Sequence, residues 1–404
     1  MKDKKQKPSV NIGLVSNTSW SLYNFRIGLI RMLIAKGTRV YVFAPKDEYS
    51  AKLTSEGVYF VPIKLRNYST NPIHDFELAI NLFKAYRKAE LDLIFHYTIK
   101  PNIYGSLVAR VLRIPSIAVT TGLGRTFNFK SKITRLTVLS LYRIVGRVCQ
   151  EMWFLNNHDR EKFLNHKIIS PKKARVLPSE GINLTKYREK FDFKKSPITR
   201  LLFAGRLLRE KGVYHFVEAA QILKKESRKI RFELLGFIDE RNPESVKRAE
   251  VLEWQNLGLI KYLGSTEDVR PYISRSDAIV FPSFYQEGVS RILLEAAAMC
   301  KPIITTRNVG CSDVVRDGYN GLLCKPKSVE DLVAAIRKFI TFTQEERALM
   351  GQRGRLLVKE SFAEEKVLEI YRMKIEQVLY KKIPAQPKTH SNKDISNLVT
   401  EKRR

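Results

Sequence analysis

DAIVFPSFYQEGVSRILLEAAAMCKPIITT, residues 277–306, holds a complete strand–helix–strand unit. DAIVFPS (277–283) is a short apolar run, residues 290–299 carry an apolar helical pattern, and KPIITT (301–306) is strand-like again. A helix between two apolar runs is the pattern of a βαβ crossover in a parallel sheet. Two carboxylates, Glu287 and Glu295, fall on the loop after the first run and two turns into the helix, so both can face one pocket. Between them Gly288-Val289-Ser290 opens the helix. The first amides of a helix are unpaired and its dipole favours negative charge, which makes this a ready anion site. Acids beside an anion site suit a ligand with both a diphosphate and many hydroxyls, such as a sugar nucleotide.

The same alternation extends in both directions. Upstream, NIGLVSN (11–17), RVYVFAP (39–45), VYFVPI (58–63), LDLIFHY (91–97) and SIAVTT (116–121) read as strands, with helices at 22–35, 74–88 and 101–112. A second series begins near 200 with RLLFAGR (200–206), RFELLGF (231–237) and IKYLG (260–264), separated by helices at 212–226 and 243–256. It closes with GLLCKP (321–326) and a helix at 328–340. The charged, proline-bearing stretch YREKFDFKKSPIT (187–199) reads as a linker. These runs predict an α/β protein of two doubly wound Rossmann-like domains facing each other across a cleft, with ligands beyond the carboxyl ends of the strands. The expected boundaries are 1–190 for the first domain, 191–382 for the second, and 383–404 for a polar disordered tail. A last helix over 363–382 fits either domain by its pattern.

At 404 residues and 44% apolar content the chain can bury two full cores. The start, MKDKKQKPSV, has no apolar core, so no secretory signal is expected. No apolar run is long enough to span a bilayer. Cys149, Cys300, Cys311 and Cys324 have no metal-binding spacing and suit reduced thiols in a cytoplasmic compartment. The net charge of +31 is uneven: residues 1–200 hold 36 Lys+Arg against 14 Asp+Glu, and 101–150 hold eight basic residues and no acidic one. Such an excess implies an anionic partner. No nucleic-acid-binding motif is visible and the positive segment is as aliphatic as it is basic, so no nucleic-acid partner is expected.

FAGRLLREKG (203–212) puts Gly205 and Arg206 at a strand end and Lys211 and Gly212 at a helix start. A rigid guanidinium fork and a compact ammonium both suit a diphosphate. GRLLREKG, followed by EGVSRILLEA at 287–296 with its apolar approach IVFPSFYQEG, resembles the retaining glycosyltransferases of family 4, which have the GT-B fold. HYTIKPNIYGSLVAR (96–110) and TTGLGRTF (120–127) resemble more narrowly the bacterial members that build capsule, O-antigen or related glycans on a polyprenyl-diphosphate lipid.

The resemblance implies roles. Glu295 would hold the donor ribose, Glu287 the transferred sugar, and the amides of Gly288, Val289 and Ser290 would meet the donor. Gly205 would line the donor site, and Arg206 and Lys211 would neutralise the diphosphate as the glycosidic bond breaks. It implies retention, no metal ion and no cofactor, with the nucleotide sugar as substrate. UDP is the expected nucleotide, and GDP stays open. Where many relatives carry a histidine after the strand SIAVTT, this chain has Thr120-Thr121-Gly122. Candidates for the acceptor side are therefore His96, Lys100, Thr121, Gly122 and Arg125; His96 also fits a strand-end histidine bonded to backbone, and Lys100 an ordinary surface lysine. In RTFNFKSKITRLTVLSLYRIVGRV (125–148), Ile133, Leu136, Leu141, Ile144 and Val148 approximate one helical face ringed by basic residues. That face fits an anionic membrane surface or the core, with Phe127 and Phe129 as insertion residues in the first case. The expectation is a hexosyl- or N-acetylhexosaminyltransferase acting on a polyprenyl-diphosphate-linked glycan, peripheral on the cytoplasmic face of the membrane. The alternatives are a nucleotide-sugar hydrolase or epimerase of the same fold and a non-catalytic basic membrane-associated protein.

Overall fold

The computed structural model describes residues 10–67, 69, 71–122, 132–188, 197–240, 242–286 and 288–380. The first sheet is built from β1 (Asn11–Val15), β2 (Arg39–Ala44), β3 (Tyr59–Pro62), β4 (Leu93–Tyr97), β5 (Ser116–Thr120), β6 (Glu151–Phe154) and β7 (Ala174–Val176). Its order is β3-β2-β1-β4-β5-β6-β7, parallel throughout. The crossovers are α1 (Ser19–Ala35), α2 (Tyr49–Ser55), α3 (Pro72–Ala89), α4 (Ser106–Val111), α5 (Lys132–Val148) and α6 (Asn157–Asn165). The second sheet holds β8 (Thr199–Ala204), β9 (Ile230–Leu235), β10 (Lys261–Tyr262), β11 (Ala278–Phe281), β12 (Ile303–Thr306) and β13 (Gly321–Cys324), in the order β10-β9-β8-β11-β12-β13. Its helices are α7 (Val213–Glu226), α8 (Arg248–Asn256), α9 (Arg270–Arg275), α10 (Arg291–Ala298), α11 (Val329–Thr341) and α12 (Gln344–Ser361), and α13 (Glu364–Tyr380) ends the described chain.

Local chemistry explains the elements. β1, β4 and β5 are buried at every position, as parallel strands covered on both faces must be. Thr18 caps α1 through a bond from the Ser21 amide, and Asn71 with Pro72 starts α3. Successive strand residues point to opposite faces. Leu14, Val42 and Phe95 pack with α1 and α13, while Val15, Phe43 and Ile94 pack with α3 and α4. Ala118, Met152 and Phe154 join Leu139, Tyr142 and Val145 of α5 on that second face.

The structure draws the domain line differently from the expected 190/191 division. α13 leaves the second domain and packs on the first. Val367, Tyr371, Ile375 and Val378 enter the core beside β4 and β6, and the Tyr371 ring lies 5.1 Å from Phe95 and 5.0 Å from Trp153. The Lys374 ammonium pairs with Glu151 at 2.7 Å, and the Tyr97 and Tyr371 hydroxyls are 3.2 Å apart. The helix's apolar stripe matches a sheet face that α1 leaves partly bare, and that decides its domain. β6, β7 and α6 were not expected from the sequence, because a four-residue EMWF and a three-residue ARV carry too little periodicity to register.

Tyr371→Ala, which empties the space between Phe95 and Trp153, is expected to destabilise the protein by about 3 kcal/mol in urea unfolding, whereas a loss under ~1 kcal/mol would mean that α13 merely rests on the sheet.

Candidate active site

The order of the second sheet reverses at β8, with β9 on one side and β11 on the other. Crevices open beyond the carboxyl ends of strands at such switch points. The chain beyond β8 is Gly205-Arg206, and the chain beyond β11 is Pro282-Ser283. The two loops are pinned together, since the amides of Phe284 and Tyr285 both donate to the Glu210 carbonyl, at 3.0 and 3.1 Å.

Arg206 is exposed at this crevice. Lys211 ends a 3₁₀ turn and is only 8% exposed, its ammonium 4.8 Å from the Tyr285 ring centroid and 5.8 Å from that of Phe281. Two aromatic rings thus fix the position of a cation that would otherwise swing on a flexible stem. Gly212 follows in the left-handed region at φ 83°, where a Cβ would overlap the Pro282 carbonyl. Only glycine lets the β8 loop approach the β11 loop this closely.

α10 brings in the other candidates. Glu295, 9% exposed, accepts from the Tyr187 hydroxyl at 2.7 Å and from Arg291 Nε at 3.0 Å, both on Oε1. The amides before the helix are not equivalent. Ser290 N–H donates to the Gly310 carbonyl at 3.0 Å, so it is already committed. Among the described residues the amides of Gly288 and Val289 have no backbone partner, leaving two of the three expected donors. The Ser290 hydroxyl is buried and, among the described residues, has no hydrogen-bond partner. Glu287 and Arg125 lie outside the described residues.

The first domain meets this loop directly. A Cβ on Gly288 would come within 2.8 Å of the Thr121 carbonyl, so Thr121, beyond β5, abuts the loop that opens α10. Gly122, next in the chain, is partly exposed. Asn156 Nδ2 donates to the Gly288 carbonyl at 2.8 Å while its Oδ1 caps α6, and Lys162 of α6 donates to Gln286 Oε1 at 2.9 Å. On another side of the crevice, Lys52 pairs with Glu267 at 2.9 Å and Tyr49 donates to the same carboxylate at 3.1 Å.

Two acceptor-side expectations are corrected. His96 is fully buried, between the Tyr86 hydroxyl and the Ser106 hydroxyl at 3.2 Å each. Burial pushes its pKa down to about 3, so the ring is neutral and structural. It belongs to the core because β4 turns alternate side chains to opposite faces, and this one meets α3 and α4. Lys100 is tied to Asp75 at 2.6 Å, and Tyr104 donates to the other oxygen of that carboxylate at 2.7 Å. Tyr187 and Asn156 were missed. The first lay in a stretch read as linker; the second was readable from the Asn-x-x-Asp cap of α6.

Residues 11–150 match the family model described as glycosyl transferase 4-like, and residues 185–357 match glycosyl transferases group 1. The chain is 32% identical to the N,N'-diacetylbacillosaminyl-diphospho-undecaprenol α-1,3-N-acetylgalactosaminyltransferase of Campylobacter jejuni, over 80% of this chain and 87% of that one. A glycosyltransferase from Rickettsia africae superposes with a TM-score of 0.77 at 19% identity, covering 92% of this chain and 99% of that one. HepE of Anabaena, solved with UDP, gives 0.75 at 17%, covering 91% and 100%. The chain belongs to the group 1, or family 4, glycosyltransferases, and its two Rossmann-like domains have the GT-B arrangement. It is a glycosyltransferase.

Lys211→Met keeps an apolar stem between Tyr285 and Phe281 but removes the charge, and kcat is expected to fall about a hundredfold or more; a rate within about threefold of wild type would remove Lys211 from the chemistry.

Proposed function

We propose that the protein transfers a hexose or N-acetylhexosamine from a nucleoside-diphosphate sugar to a glycan carried on a polyprenyl diphosphate. The observation that carries this is that the loops beyond two neighbouring strands, β8 with Arg206 and Lys211 and β11 with the start of α10, meet at one switch point, with Glu295 on the same helix α10. Cations and amides answer a diphosphate, and a carboxylate with one uncommitted oxygen answers ribose hydroxyls. The charge of the leaving diphosphate grows as the glycosidic bond breaks, so preorganised cations there favour the transition state over the bound substrate. With the cations in that role the reaction runs without a metal. The acceptor hydroxyl attacks from the face the diphosphate leaves, hands its proton to the departing phosphate, and retains configuration. UDP is the nucleotide of choice, in keeping with the complex of HepE, and the lipid-linked acceptor follows the name of the Campylobacter relative.

Such an acceptor places the work at a membrane. Among the described residues no helix is long and apolar enough to cross one. The apolar face expected from Ile133, Leu136, Leu141, Ile144 and Val148 stays largely outside the core, with only Leu141 packing partly against it, and a different set of α5 side chains fills the core. Leu139, Tyr142 and Val145 enter the core, whereas Ile133, Leu136 and Ile144 stay exposed at 78%, 62% and 42%, beside the exposed Lys132, Arg135 and Arg147. α3, on the same face of the sheet, exposes Ile73, Phe76 and Ile80. These two helices suit the interface of an anionic leaflet, on the cytoplasmic side where nucleotide sugars are found.

Incubating the protein with labelled UDP-sugars, a polyprenyl-diphosphate sugar and excess chelator should yield a longer lipid-linked glycan whose new bond keeps the donor's anomeric configuration. Free sugar alone would mean a hydrolase. In flotation assays the protein should rise with anionic vesicles, less so at high salt, and Ile133→Glu with Leu136→Glu should abolish it; equal binding to neutral vesicles would contradict the electrostatic part of the reading.

A further inference from the structure

Arg291 occupies a position that helix electrostatics disfavour. It is the first residue of α10, at the positive end of the dipole, and it precedes its partner Glu295 by four residues, the weaker orientation of such a pair. Specific bonds hold it there. Nε donates to Glu295 Oε1 at 3.0 Å, Nη1 donates to the Gly181 carbonyl at 2.6 Å, and the guanidinium carbon lies 5.8 Å from the Phe25 ring centroid of α1. Glu180, adjacent to Gly181, pairs with Arg26 of α1 at 2.8 Å. The guanidinium therefore bridges the donor carboxylate and the segment by which the chain leaves the first domain.

The Tyr187 hydroxyl reaches the same Oε1 at 2.7 Å. Tyr187 is itself fixed, because Arg355 Nη1 donates to its carbonyl at 2.9 Å. Two donors on one oxygen lock the rotation of the carboxylate and, among the described residues, leave Oε2 without a donor. A glutamate in water samples many rotamers, and a ligand must order it on binding. One already clamped gives up little freedom.

Resting on the assignment of Glu295 to the donor ribose, we infer that Arg291 and Tyr187 are positioning residues that clamp Glu295 through Oε1 so that Oε2 accepts a ribose hydroxyl, with Arg291 anchoring the clamp to the interdomain crossover at Gly181. Neither residue touches the reacting atoms. Their effect is on how strongly the nucleotide's ribose hydroxyls are felt.

The test is calorimetric titration of the full chain with UDP and GDP and with their 2′-deoxy and 3′-deoxy counterparts. Wild type should lose roughly tenfold in affinity when the hydroxyl facing Glu295 is removed. Arg291→Gln should bind the parent nucleotide about tenfold more weakly and show almost no further loss with the deoxy form. Tyr187→Phe, which keeps the ring, should show an intermediate loss. If wild type discriminates and both variants discriminate equally well, the clamp is disproved. A purely architectural Arg291 would lower the melting temperature and weaken both nucleotides in parallel, leaving their ratio unchanged, and that too would overturn it. Should Arg291→Gln fail to fold, Arg291→Lys, which keeps the charge without the fork, takes its place beside Tyr187→Phe. If wild type itself ignores the ribose hydroxyls, the assignment of Glu295 fails first, and this outcome is distinct from the others.

Discussion

The chain passes between its two sheets twice, and the two passages are bonded to each other. Ile182 N–H donates to the Phe362 carbonyl at 2.9 Å, Glu364 N–H donates to the Ile182 carbonyl at 3.0 Å, and Asn183 Nδ2 donates to the Glu364 carboxylate at 2.7 Å. Much of the molecule follows from this double crossing. It commits α13 to the first domain, where Tyr371 and Lys374 complete the core and its polar edge. It also places Glu180, Gly181 and Tyr187 between an α1 arginine and an α10 carboxylate. Other links between the domains are side-chain bonds spread over separate loops. The Lys52–Glu267 pair is of the solvent-screened kind that contributes little. The buried bond from Asn156 to the Gly288 carbonyl is stronger, but it is a single bond. Two compact bodies joined by a bonded double strand and a few polar bridges have the kind of interface across which domains commonly change their angle.

On the proposed reading, the site divides the handling of anionic charge between unlike groups. Arg206 is exposed and retains its reach, whereas Lys211 is buried between two rings and has none to lose. A buried cation is a preorganised one: its ordering is complete before any ligand arrives, and it acts in a medium where charge is poorly screened. The α10 amides add partial charge without adding a side chain to order. Ser290 shows the limit of reading such a terminus from spacing, since its amide is committed to Gly310 across a loop far away in sequence.

What could be read from the sequence follows from the range of the forces involved. Strand and helix alternation is local, so β1, β2, β4, β5, β8, β9, β11 and β12 and the helices α1, α3, α7, α8 and α10 lie close to where apolar runs place them. The turns that carry the proposed donor-side residues were readable for a related reason. Gly205, Arg206, Lys211, Gly288 and Glu295 lie on turns and a helix start whose geometry is set by neighbours in sequence. The acceptor side depends on which face of the sheet a strand-end residue takes and on partners far along the chain. His96 looks the same in sequence whether it points at the cleft or at Tyr86, and Lys100 whether it is free or held by Asp75. α13 was undecided for the same reason: its stripe specifies a sheet face to cover, without naming the sheet.

His96 is buried as a neutral ring and Lys100 is paired with Asp75, so on the proposed reading the basic excess of the first half acts elsewhere. Part of it stands on the outer faces of α3 and α5, where Lys84, Arg87, Lys132, Arg135 and Arg147 are exposed beside apolar side chains. An anionic surface attracts each such cation by about 1 kcal/mol, and exposed Ile133, Leu136 and Phe76 would each gain by leaving water. The double crossing and α13 lie on the α1 side of the sheet, opposite these helices. Changing the angle between the domains therefore moves neither helix against the sheet that carries it. A protein docked through α3 and α5 could open its cleft to exchange nucleotide while holding its place over a lipid-borne acceptor. On the proposed reading, the same separation of faces explains why strong positive charge accumulates on the side of the molecule that does no chemistry.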